Sequence, residues 1–117
     1  MVKIKIVHNG TIIADDVKEL KGNLEKARGL LFRKRIAKNE AFIFIFDKED
    51  YWSFHMFFMF YPIDILWLDK NKVVVDLVKN FKPWRFNRPK RKAKFVIELP
   101  SGTIEKLNIV DGTKIDF

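Results

Sequence analysis

SFHMFFMFYPIDILWLD, Ser53–Asp69, decides how this chain reads. Six aromatics, two methionines and His55 surround one internal acid, Asp64, before the run closes on Asp69. A stretch this apolar belongs in a core, and polar groups buried with it need hydrogen-bond partners. His55 and Asp64 therefore mark a core and a candidate site together. Pro62 and Asp64 also interrupt the run well before the roughly 20 apolar residues of a membrane helix, so no membrane span is expected.

On either side of this run, short strands dominate. Ile63–Leu68 and Val73–Leu77 flank Asp69-Lys70-Asn71-Lys72, a polar hairpin turn. Upstream, Ala41–Phe46 is β-branched and aromatic and suits a buried strand, Asp47–Asp50 reads as a charged loop, and Trp52–Phe58 as a further strand. Pro62 should interrupt that strand or sit at its edge. Near the start, Val2, Ile4 and Ile6 alternate with lysines, and Asn9-Gly10 turns the chain into a returning strand over Thr11–Ala14. Leu20, Leu24, Ala27 and Leu31 recur at helical spacing and predict an amphipathic helix from about Lys18 to Leu31. Downstream, Phe81–Lys92 contains Pro83 and Pro89 and reads as an exposed loop. Phe95–Leu99 resumes as a strand, Ser101–Leu107 suits one helical turn, and Lys114–Phe117 a last strand after Asp111-Gly112. The expected fold class is α+β, a mostly antiparallel sheet of around seven strands with one or two short helices. A partly closed barrel would accommodate so many apolar strands in a small domain.

With 117 residues, 48% hydrophobic and 15% aromatic, a single domain (residues 1–117) with one real core is expected. Cysteine is absent, which excludes disulfides, thiolate metal sites and a cysteine nucleophile. Met1–Val7 lacks the apolar centre of a signal peptide, so a cytoplasmic location is expected. High lysine and no glutamine lean toward a thermophilic source.

Three blocks, in order, resemble a known family. Ala27-Arg28-Gly29-Leu30-Leu31-Phe32-Arg33 is similar to an "ARGLMFR" block, and His55-Met56 with Pro62-Ile63-Asp64 and Leu68-Asp69 to a "(W/H)M…P(L/I)D…(F/L)(I/L)D" block. Val96-Ile97-Glu98-Leu99-Pro100-Ser101-Gly102 resembles "VLELPAG", with Asn108–Gly112 similar to a later "GI..GD". Together these resemble the domain-of-unknown-function family 192, also called uncharacterised protein family 0127. Leu31 stands where methionine is usual, and Thr113 where an aspartate is commoner after the glycine. His55 in place of tryptophan resembles the archaeal branch. The resemblance implies a compact β-rich fold and carries no activity with it.

Chemistry-bearing residues divide into two groups. In the first, Asp64 orients His55 for proton transfer if the two converge from neighbouring strands, and Arg28 pairs with Asp64 or presents its fork to an anionic ligand. Phe54, Met56 and Trp67 would line such a pocket. The structural alternative is that His55 and Asp64 satisfy backbone groups in an aromatic core and that Arg28 makes an ordinary salt bridge. Two serines outside any nucleophile turn, two histidines and no glycine-rich phosphate loop lean away from an enzyme, and no cofactor or metal site is implied.

The second group is Lys79–Lys94, KNFKPWRFNRPKRKAK, with eight lysines and arginines and no acid. Lys82, Arg85, Arg88, Lys90, Arg91, Lys92 and Lys94 interleave with Trp84 and Phe86. That mixture suits a polyanion such as RNA, with cations on phosphates and rings on bases, and the net charge of +8 agrees in sign. The alternative is a lysine-rich surface with both rings folded back onto the core. The expectation is a binding or accessory module that engages a polyanion through Lys82–Lys94. Its alternatives are a small-molecule-binding protein or enzyme using Arg28, His55 and Asp64, and a protein-interaction module that forms a homo-oligomer or meets another chain.

Overall fold

The computed structural model describes residues 3–21, 36–52, 54–55, 61–82 and 86–117. The hairpin that closes the run Ser53–Asp69 supplies the centre of the molecule. β6 (Ile63–Leu68) is buried at every position, and it pairs antiparallel with β7 (Val74–Phe81) across the Asp69–Lys72 turn. Asp69 shapes that turn by accepting the N–H groups of Asn71 at 2.8 Å and Val73 at 3.1 Å, the short-range bonding that suits Asp to turns.

On its other edge β6 pairs antiparallel with β9 (Ala93–Pro100), which pairs in turn with β4 (Glu40–Asp50). β3 (Asp16–Lys21) completes the sheet parallel to β4, so the order is β3-β4-β9-β6-β7. β1 (Ile4–Ile6), β2 (Ile12–Ala14) and β10 (Ile115–Asp116) form a three-stranded antiparallel sheet, and β5 (Phe54–His55) pairs with β8 (Phe86–Asn87). One four-residue helix, α1 (Thr103–Lys106), comes after β9. The fold is thus β-rich and mostly antiparallel. Among the described residues the strands form no closed barrel, where a partly closed one was expected: the five-stranded sheet has β3 and β7 at its two edges.

Period-2 alternation sends the central strands' side chains to two different cores. One face is aliphatic: Ala41, Ile43, Leu66, Leu68, Ile97 and Leu99 pack under the small sheet's Ile4, Ile6, Ile13 and Ile115 and under Ile104 of α1. The opposite face is aromatic, with Phe42, Phe44, Tyr61, Trp67 and Phe81 among its buried residues. Trp67 is fully buried, and its indole N–H donates to the Trp52 carbonyl at 2.7 Å, while Trp52 stacks on Phe46 at 4.0 Å between centroids.

The structure corrects two sequence expectations. Lys18–Lys21 is the end of strand β3, paired with Phe42–Ile45, and not the start of a helix; residues 22–31 of that expected helix lie outside the described residues. At Lys18–Lys21 the parallel ladder with β4 sets the backbone, and Leu20, one residue of that helical spacing, is in register with Phe44. Asp47–Asp50 continues β4 instead of forming a loop, since Asp50 is in register with Ala93 past an irregularity in the ladder. The hairpin at Asn9-Gly10, the β6–β7 hairpin, the Phe95–Leu99 strand and the helical turn after Ser101 all stand where the sequence put them.

Candidate functional site

Three acids are buried among the described residues: Asp64, Asp76 and Glu98. Their surroundings separate structure from candidate function. Asp64 lies on the aliphatic face, fully buried and in register with Leu99. One carboxylate oxygen accepts the N–H of Asn80 at 2.7 Å, and the other accepts the N–H of Ile104 at 2.8 Å. Both donors need it. The β6–β7 register slips by one residue between Ile63 and Ile65, and Asn80, at φ 52°, occupies that bulge with its N–H turned off the ladder. Ile104 is in the first turn of α1, whose N-cap is Gly102 at φ 95° with no capping side chain of its own. Asp64 thus caps the helix from forty residues away in sequence, and an anion is the favoured partner for those N–H groups. Ser101 adds a bond from its hydroxyl to the Asn80 side-chain oxygen at 2.7 Å.

The expected His55–Asp64 pair is divided between two sheets at the backbone, and both Asp64 oxygens accept backbone N–H groups. His55 lies on β5, which pairs with β8, whereas Asp64 lies on β6 between β7 and β9. Arg28 and Met56 lie outside the described residues. Trp67 is committed to the aromatic core. A cavity of about 160 Å³ does open where the aromatic face meets the end of the sheet, lined by Ile36, Tyr61, Pro62, Ile63, Pro100 and Ser101. Glu98, 1% exposed, is in register with Phe42 and Ile65 on that same face.

Asp76 repeats the arrangement of Asp64 near the surface. It is 7% exposed and stands in register with Trp67, beside a second slip of the β6–β7 ladder. Its oxygens accept the N–H groups of Leu77 and Lys90, each at 2.8 Å. The second bond fastens the basic segment to the sheet. Pro89 is buried, as are Phe81 and Ala93 on either side of the segment, so its backbone is held at several points.

From this anchored backbone Lys82, Arg88, Lys90, Arg91 and Lys92 are exposed. The ion pairs found among the described residues join Lys18 to Asp16 and Glu40, and Lys48 to Asp50; none of those five cations takes part. Arg88 lies over the ring of Tyr51, 4.6 Å from guanidinium carbon to centroid, and Tyr51 is itself 37% exposed. Lys94, half-buried on β9, leans over Phe95. Phe86 contributes its backbone to β8, and Trp84 and Arg85 lie outside the described residues. Phe81–Lys92 is therefore less of a free loop than its prolines suggested. Asp76 and Tyr51 were missed in the sequence. For Asp76 the signal was there, an acid inside the apolar run Val73–Val78, the same pattern that drew attention to Asp64.

The fold and these features define a small β-rich domain with an internal carboxylate lock and an anchored basic loop. The chain belongs to the domain-of-unknown-function family 192, described as "Uncharacterized ACR, COG1430", whose model matches residues 4–117. Similar curated proteins are called UPF0127 proteins. That of Thermococcus sibiricus is 43% identical over 95 residues, covering 80% of this chain and 60% of the relative. That of Pyrococcus furiosus is 37% identical over 113 residues, covering 95% and 94%. This chain accordingly spans only about three fifths of the Thermococcus sibiricus relative's length. Among solved structures, a protein of unknown function from Novosphingobium aromaticivorans has a TM-score of 0.86 at 22% identity, covering 99% of this chain and 84% of its own. A second solved structure, a protein from Sinorhizobium meliloti, has a TM-score of 0.83 at 19% identity, covering 97% of this chain and 89% of its own. These likenesses establish the fold. Among the described residues, no helix is long and apolar enough to cross a membrane.

Proposed function

We propose that this domain is a binding or accessory module that engages a polyanion through the anchored basic loop. One observation carries the reading: Lys82, Arg88, Lys90, Arg91 and Lys92 are exposed and take no part in the ion pairs found among the described residues, on a backbone that buried Asp76 and Pro89 hold in place. Cations outside internal ion pairs attract phosphates or sulfates and release counterions on binding. Anchoring lowers the ordering cost that a mobile basic tail would incur on binding.

Salt titration tests this directly. Heparin and a short single-stranded RNA should bind with affinity that falls steeply as salt rises. Neutralising Arg88, Lys90, Arg91 and Lys92 to glutamine should reduce the slope of log K against log salt by roughly 3 for the single strand. Unchanged affinity for both probes in the neutralised protein would overturn the reading.

A further inference from the structure

We infer that the polyanion is a single-stranded nucleic acid and that the Arg88–Tyr51 stack is a platform for one of its bases; this rests on the polyanion reading above. A surface that only gathers sulfates or phosphates needs positive charge and nothing else. In this loop one of the cations is not left to move freely in solvent. The Arg88 guanidinium lies 4.6 Å from the centroid of the Tyr51 ring, and both residues are exposed. Cation–π attraction holds a guanidinium over an aromatic ring, and Arg88 stays exposed there. A guanidinium plane held beside phosphate-binding cations is the combination on which an unpaired base stacks.

The placement of the other groups agrees. Arg88 is two residues from Lys90, whose N–H is fixed to Asp76 at 2.8 Å, so the platform and the Lys90–Lys92 cations share one anchored backbone. Asp50, the nearest acid in sequence to the platform, accepts the Tyr51 N–H at 2.7 Å and pairs with Lys48 at 3.8 Å, so its charge is partly met. A base in a duplex offers no free face to such a stack, which selects single strands over double.

The test compares two probes of similar charge, a fluorescent single-stranded oligouridylate and a heparin oligosaccharide, on the intact chain. Tyr51→Ala removes the ring, and Arg88→Lys keeps the charge but removes the plane. Both variants should weaken oligouridylate binding roughly tenfold, the scale of losing one stacked base, while heparin affinity stays within about twofold. Circular dichroism checks that each variant is folded, and Arg88→Lys serves alone if Tyr51→Ala is not.

Equal losses for both probes, or no loss for either, would overturn the base platform. Binding of heparin but not oligouridylate by the unaltered protein would overturn it too. In each of those cases the polyanion reading survives if neutralising Arg88, Lys90, Arg91 and Lys92 abolishes heparin binding. If that neutralised protein binds both probes as before, the polyanion reading itself falls.

Discussion

Asp64 and Asp76 are built alike and serve different ends. Each sits next to an irregularity of the β6–β7 ladder, and each gives both carboxylate oxygens to backbone N–H groups. Asp64 is fully buried and joins two parts of the fold, the Asn80 bulge and the first turn of α1. Asp76 is near the surface and joins the sheet to a loop of exposed cations. The same chemistry is thus a fold device in one place and a way of presenting a surface in the other. An acid in an apolar strand signals a demand for hydrogen bonds, and only what it bonds tells which purpose it serves.

The largest expected effect separates the two locks. Asp64→Ala leaves the buried Ile104 N–H and the part-buried Asn80 N–H without an acceptor and should cost about 3 kcal/mol or more in urea unfolding, lowering Tm on the order of 10–20 °C. Asp64→Asn puts an amide NH₂ against one of those donors and should recover only part of this loss. A folded Asp64→Ala protein of unchanged stability would break the assignment of Asp64 to structure.

Asp76→Ala should cost less, about 1–2 kcal/mol, because water can reach the donors it abandons. Its distinctive result should be faster hydrogen exchange at the Lys90 amide and weaker polyanion binding with the cations still present. A loss of stability as large as that of Asp64→Ala would erase the difference between the two sites.

Ser101→Ala removes the hydroxyl bond to Asn80 and tests whether the Asp64 lock has a second fastening. About 0.5–1 kcal/mol is expected from equilibrium unfolding, the net worth of one hydrogen bond. Smallest of all, Lys48→Ala breaks an exposed ion pair beside Tyr51 and should change stability by no more than about 0.5 kcal/mol. A larger effect would mean that the end of β4 contributes to holding the basic loop.

The contrast between these sites also shows where residue patterns were informative. Strands with clean alternation or bounded by turn chemistry, such as Ile63–Leu68 with Asp69–Lys72, stand where the sequence placed them, because burial of one face and a tight turn are local demands. Lys18–Lys21 failed because charged residues at an edge strand carry no strong period, and its pairing with β4 is a long-range choice. In the candidate site, the exposure of Arg88, Lys90, Arg91 and Lys92 was legible from charge alone. Their anchoring by Asp76 was not, since the Asp76–Lys90 bond spans fourteen residues of chain.

By itself the sequence determined that Ile63–Leu68, the end of the run Ser53–Asp69, is a core strand, that Asp64 within it needs partners, that the family resemblance is real, and that Lys79–Lys94 is basic. These come from composition and short-range pattern, which burial and charge read directly. The tertiary structure decided which partners Asp64 receives, because Asn80 and Ile104 reach it only when β6, β7 and β9 are paired. It decided likewise that Tyr51 and Arg88 meet, from two segments of chain thirty-seven residues apart that no local rule connects.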